Sequence, residues 1–215
     1  MKKIIFYTML MGTFFFAKSQ ATLSEIFSGD NIVWYGLDFT NSRFIGQFDQ
    51  AVGAGPASAY DIKTKHIPSW NSLILSESTK YDIGKTFRKT SVYNDISPVE
   101  KVNAKIDEDK LMSYNTYSFS DAQSTVSNCV KKYSGGDQSS GLAVVFIVEY
   151  FHKDQQEASV YVTFFDIASK NVLFSEKIIG KAKGIGLRNY WGGAIYSVLT
   201  QIQKTEYAAW KKKYL

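Results

Sequence analysis

Cysteine occurs once in the 215 residues, at Cys129, so no disulfide can form within the chain and the fold must hold by its core. Histidine occurs twice, at His66 and His152, far apart and without neighbours in a metal-ligand spacing motif. Both read as structural side chains, and no metal or other cofactor is expected. The sequences of common reaction centres are missing too: there is no Gly-x-Ser-x-Gly elbow and no His-Glu-x-x-His helix. No catalytic residue is assigned, and the chain reads as non-catalytic, with a small hydrolase of unrecognised motif as the alternative. No linker rich in glycine, proline or serine divides the sequence in two, so 20–215 reads as one globular domain.

Long apolar runs are scarce, and the one at the start is informative. Lys2 and Lys3 precede an uncharged stretch from Ile4 to Ala17 that ends in Lys18, Ser19 and Gln20. At about 14 residues it is shorter than the roughly 20 needed to cross a bilayer, and it has no polar face. This is the n-region and h-region of a signal peptide, 1–19, with Ala17 and Ser19 suited to cleavage before Gln20 and Ser19 and Ala21 offering a second point before Thr22. The expected location is periplasmic or secreted, with no stable membrane anchor after cleavage. Removal of Lys2, Lys3 and Lys18 leaves 22 basic against 20 acidic residues, a balance of +2. Nucleic acid is therefore not expected as a partner.

What is present is apolar and aromatic, 45% and 15% of the chain, enough for a sizeable core. Residues 31–40 read as a first buried strand, followed by a long connection over 41–59 in which Phe44, Ile45 and Phe48 pack. Pro68 at a first helical turn predicts a helix over 67–81 that Gly84 ends, then a strand over 86–95. Ser97, Pro98 and Glu100 read as the capped start of a short helix. From 107 to 119 only Leu111, Met112 and Tyr114 are assigned to the core. Residues 121–133 form a helix with Ala122, Val126, Cys129 and Val130 on one face. Cys129 there reads as a small apolar residue rather than a nucleophile.

Three strands follow, over 142–150, 158–167 and 172–179, joined by short turns, and a closing helix runs over 190–213. Val145, Ile147, Phe164, Ile195 and Ile202 are expected to share one core. The fold class is α/β (α+β): a mixed sheet with an antiparallel C-terminal three-strand meander, packed on helices that include a long C-terminal one.

The order of elements resembles the amino-terminal domain of the periplasmic TolB protein and of related exported envelope lipoproteins. Val33 to Asn41 (Val-Trp-Tyr-Gly-Leu-Asp-Phe-Thr-Asn) is similar to their opening strand, and Val162 to Glu176 to their hairpin. The resemblance implies a non-catalytic domain that binds an envelope protein or peptide, and it carries over no site residues. The export signal and aromatic-rich composition also resemble secreted proteins of Bacteroidetes-type bacteria.

One segment has the composition of a binding turn. Residues 180–189 (Gly-Lys-Ala-Lys-Gly-Ile-Gly-Leu-Arg-Asn) lead from a strand into a helix and hold three glycines and three cations. Glycines free backbone amides and cations attract anions, although the ending of a nucleotide loop is missing. Gly184, Gly186, Arg188 and Asn189 are the candidate binding residues. Competing with that reading is a plain connection in which the glycines permit positive φ and Asn189 caps the helix. Asp107, Glu108 and Asp109 read as a solvated cluster, and Trp210 to Tyr214 as a basic helix end.

Overall fold

The computed structural model describes residues 20–48 and 57–215, so the expected signal segment, 1–19, and the middle of the 41–59 connection lie outside the described residues. Thr22 stands at the N-cap of α1 (Leu23–Ser28), and Glu25 accepts the Thr22 amide at 3.3 Å. Strand β1 (Asn31–Asp38) follows and is buried at every position but its first. A strand of aromatic and β-branched residues with no polar alternation is suited to cover on both faces. Gly36, at φ 94, shifts its register between Trp34 and Leu37. After a turn, β2 (Arg43–Ile45) buries Phe44 and Ile45, and Phe48 is buried beyond it.

The chain is already helical when it reaches Pro68. Ser58 caps α2 (Ala59–Asp61), which passes through a π-turn (Ile62–His66) into α3 (Ile67–Ser76). The widened turn, closed by the Ile67 amide on the Ile62 carbonyl, stands just before a proline that has no amide to donate. Pro68 therefore marks a change of helical pitch rather than a helix start.

The strand expected over 86–95 is mostly not a strand. Asp82 accepts the Lys85 amide at 2.8 Å and starts α4 (Ile83–Phe87), which contains Gly84. Only Ser91–Asn94 is extended, as β3. In α5 (Ser97–Asn103), Ile96 is the N-cap, and Ser97 Oγ donates to Asp95 instead of capping. A short 3-10 turn (Glu108–Lys110) leads to β4 (Met112–Ser113), and Tyr114, expected in the core, is 72% exposed. Helix α6 (Ala122–Lys131) buries Val126, Cys129 and Val130 as its periodicity requires.

The protein is mixed α/β with a long C-terminal helix. Strand β5 (Leu142–His152) lies at the centre of the sheet, parallel to β1 along its first half and to β2 along its end. β1 and β2 are thus one interrupted line along β5, flanked in turn by β3 and β4, both parallel. On the other side β5 pairs antiparallel with β6 (Glu157–Asp166), and β6 antiparallel with β7 (Val172–Lys181). Helix α7 (Leu187–Gln201) continues through a second π-turn (Ile202–Glu206) into α8 (Tyr207–Tyr214).

Between the end of β3 and the start of β4 the outer edge of β1 has no strand beside it. Two side chains take that place. Asn71 accepts the Leu37 amide at 2.7 Å and donates to the Leu37 carbonyl at 3.1 Å. Asn103 accepts the Phe39 amide at 2.8 Å and donates to the same Leu37 carbonyl at 2.9 Å. A primary amide has the donor and acceptor of a peptide group, so each satisfies buried backbone that would otherwise cost about 1–3 kcal/mol per unpaired group.

The sheet divides the core. Trp34, Phe146, Phe164, Ile195 and Ile202 belong to the larger cluster, whereas Val145 and Ile147 lie with Tyr35, Val126, Cys129 and Tyr133 in a second. The single shared core expected for Val145, Ile147, Phe164, Ile195 and Ile202 is therefore incorrect. Successive residues of β5 point to opposite faces, and both faces are covered.

Candidate functional site

The end of β7 meets α7 backbone to backbone. A Cβ on Gly180 would lie 2.1 Å from the Ala194 carbonyl oxygen, and one on Gly193 would lie 1.9 Å from that of Lys183. Only glycine permits such approach. Hydrogen bonds hold it: the Lys181 amide donates to Ser197 Oγ at 3.2 Å, the Lys183 amide to the Tyr190 carbonyl at 3.2 Å, and Gln201 Nε2 to the Ile179 carbonyl at 2.8 Å.

Lys181 and Lys183 thereby stand beside the exposed side of α7, where Tyr196, Ser197 and Thr200 lie, with Lys204 one turn further on. Lys80, from the turn after α3, completes the wall, its ammonium 4.8 Å from the ring centre of Tyr81 and 5.8 Å from that of Tyr196. Together these residues enclose a groove of about 750 Å³.

Among the described residues the groove is lined by four lysines and several hydroxyl groups, and by no carboxylate. At its margin Lys181 pairs with Glu157 at 2.6 Å, Lys80 with Glu77 at 3.5 Å, and Arg188 approaches Glu77 at 3.8 Å. Lys183 and Lys204 have no ion pair among the described residues. Burial works to lower the Lys80 pKa, but Tyr81 and then Glu77 outweigh it, so its ammonium titrates above the usual lysine range. The groove thus presents four ammonium groups beside the ring of Tyr196, a charge suited to phosphate, sulfate or carboxylate groups. The hydroxyls of Thr200 and Thr205 are already engaged, donating to the Tyr196 and Gln201 carbonyls.

The predicted turn forms one end of this groove without all its residues acting together. Gly184 (φ 150) and Gly186 (φ 76) both use backbone conformations that favour glycine. Gly186, not Asn189, is the N-cap of α7, because the helix begins at Leu187; Asn189 is an exposed residue inside its first turn. The Arg188 carbonyl accepts Trp70 Nε1 at 3.1 Å, which ties the turn to α3 and leaves the guanidinium half-exposed beside Glu77. Lys80, Tyr196 and Lys204 were not singled out by sequence. They come from separate elements, and scattered surface lysines carry no local pattern.

The other candidates have structural explanations. Cys129 is buried and accepts Asn41 Nδ2 at 3.1 Å; burial, with Asp38 nearby, pushes its thiol pKa well up. A thiol held protonated is a poor nucleophile. Asp107 caps the 3-10 turn and pairs with Lys110, while Glu108 pairs with Lys63. Glu149 is buried and accepts from the Phe119 amide, Ser159 and Lys177. Asp166 accepts from the Ala21 amide and from both the amide and hydroxyl of Ser169. The ring of His66 lies 5.8 Å from Trp70, and His152 Nδ1 accepts the Gln155 amide. At the C-terminus Trp210 packs on Phe174, and Lys213 and Tyr214 both bond Glu176. No protein-family model, curated protein or solved structure matches this chain.

Proposed function

We propose that the chain is an exported, non-catalytic binding protein of the bacterial envelope that engages negatively charged groups of its partner in the lysine groove between β7 and α7. The observation that carries this reading is the lining itself: among the described residues, four lysines and no carboxylate, with Lys183 and Lys204 in no ion pair. Counting the margin, the ion pairs that Lys80, Lys181, Lys183, Arg188 and Lys204 make among the described residues involve two carboxylates, Glu77 and Glu157, against five cations, an excess of three positive charges. Such local excess concentrates anions even on a chain whose overall charge is small. The envelope reading rests on the export signal and on the resemblance of residues 33–41 and 162–176 noted in the sequence. An acidic envelope protein or peptide is one carrier of the required charge.

A soluble polyanion tests the groove. The exported protein is expected to bind heparin, with affinity falling as salt rises, and a Lys183→Glu, Lys204→Glu variant is expected to lose most of that binding at unchanged melting temperature. Undiminished binding by that variant would overturn the assignment. Mass measurement of the exported form, expected to begin at Gln20 or Thr22, tests the location.

A further inference from the structure

Ile185 is the most exposed large apolar side chain among the described residues, at 92%. A lone exposed apolar residue is ordinary. The setting of Ile185 is not. It stands between Gly184 and Gly186, three residues before Arg188 and two after Lys183, which lines the groove. Space beside it is open: a Cβ on Gly186 would meet nothing within 4 Å. Tyr196, 43% exposed, adds an aromatic ring to the same groove.

The shape and charge of this face narrow its partner. An acidic peptide lying in the groove would satisfy the lysines and leave Ile185 in water. A bilayer with anionic headgroups offers a negative plane for the cations and, immediately beneath it, an apolar phase that needs no preformed socket for a convex tip. Resting on the reading of the groove as an anion site, we propose that this face docks on the anionic surface of a lipid bilayer. Lys80, Lys181, Lys183 and Lys204 take the headgroup phosphates, and Ile185 enters the boundary between headgroups and acyl chains. Among the described residues no helix is long and apolar enough to cross a membrane; the docking proposed is peripheral and needs none.

The experiment is co-sedimentation of the exported protein with phosphatidylcholine vesicles, with and without about 30 mol % phosphatidylglycerol, alongside heparin binding. Binding is expected only with the anionic lipid and is expected to weaken as salt rises. Ile185→Ser should reduce vesicle binding by about fivefold while heparin affinity and melting temperature stay unchanged. Ile185→Trp supplies a direct reading. The four native tryptophans, Trp34, Trp70, Trp191 and Trp210, are at most 4% exposed, so a blue shift of emission on adding anionic vesicles reports the substituted tip. Heparin binding without vesicle binding, or vesicle binding indifferent to Ile185→Ser together with no shift in Ile185→Trp, would overturn the lipid proposal and point to an acidic protein partner. Loss of both heparin and vesicle binding in the native protein would overturn the groove reading itself.

Discussion

Gly193 lies so close to Lys183 that a side chain at position 193 would begin 1.9 Å from the Lys183 carbonyl oxygen. In an isolated helix Gly→Ala stabilises by about 1 kcal/mol. Here the added carbon must push β7 and α7 apart, and overpacking against backbone costs about 1–3 kcal/mol. Gly193→Ala is therefore expected to lower the urea midpoint and to weaken heparin binding, because it displaces Lys183. Equal stability and binding would show that the approach is not what shapes the groove.

The paired amides of Asn71 and Asn103 on β1 give a second expectation. Each single change to Ala should destabilise by about 1–3 kcal/mol, since it strands a buried amide of Leu37 or Phe39. Both side chains donate to the Leu37 carbonyl, so either single variant leaves it one donor and only the double variant strands it; the double variant should therefore cost more than the two losses added. Simple additivity in denaturant titrations would argue against a shared acceptor.

The division of the core by the sheet is open to a mutant cycle. The rings of Phe164 and Phe174 lie 4.9 Å apart on one face, whereas Val145 lies on the other. Phe164→Ala is expected to cost about 3–5 kcal/mol. Its effect should couple with Phe174→Ala by about 0.5 kcal/mol or more and add to Val145→Ala with little coupling. Strong coupling to Val145 instead would return the two faces to one core.

Alkaline pH should raise stability before lowering it. Lys89 is 7% exposed and donates to the carbonyls of Glu25 and Gly29, and burial, opposed by Asp30 and Glu25, pulls its pKa down to about 8. An unfolded lysine titrates at about 10.4, so between these values the unfolded chain holds the extra proton and unfolding becomes harder as pH rises. The gain is on the order of 1–3 kcal/mol, absent below pH 8. Burial also raises Tyr35, Tyr150 and Tyr161 to about 12. Above about pH 10 the unfolded tyrosines ionise first, and stability falls. The buried Cys129 thiol, also held protonated in the fold, opposes the rise from about pH 8.5, where an unfolded thiol ionises. Denaturation midpoints measured from about pH 7 to 11 should therefore rise from about pH 8, level off near about pH 9 and fall above about pH 10, and Lys89→Met should remove the rise while keeping the fall.

Much of the secondary structure was legible in the chain because it depends on local periodicity. The face of α6 that buries Val126, Cys129 and Val130, the burial of β1 and the apolar run of β5 from Leu142 to Val148 all follow from residue order alone. The strand expected over 86–95 fails at its start because the Asp82 cap, one side-chain hydrogen bond, begins a helix that runs to Phe87 and outweighs the alternation there. Pro68 misled in a similar way, since a preceding π-turn lets a helix run on into a proline.

Residue order alone dictates which residues are apolar, where glycine makes room and that cations cluster near the turn at 180–189. The packing of the elements is what puts Val145 and Phe164 in different halves of the core and brings Lys80 and Lys204 to one groove with Lys181 and Lys183. The reason is physical: periodicity states which face of an element avoids water, but not which other face it meets. A surface lysine pays almost nothing to sit anywhere in solvent, so its neighbours are set by the packing of the elements beneath it rather than by its own position in the chain.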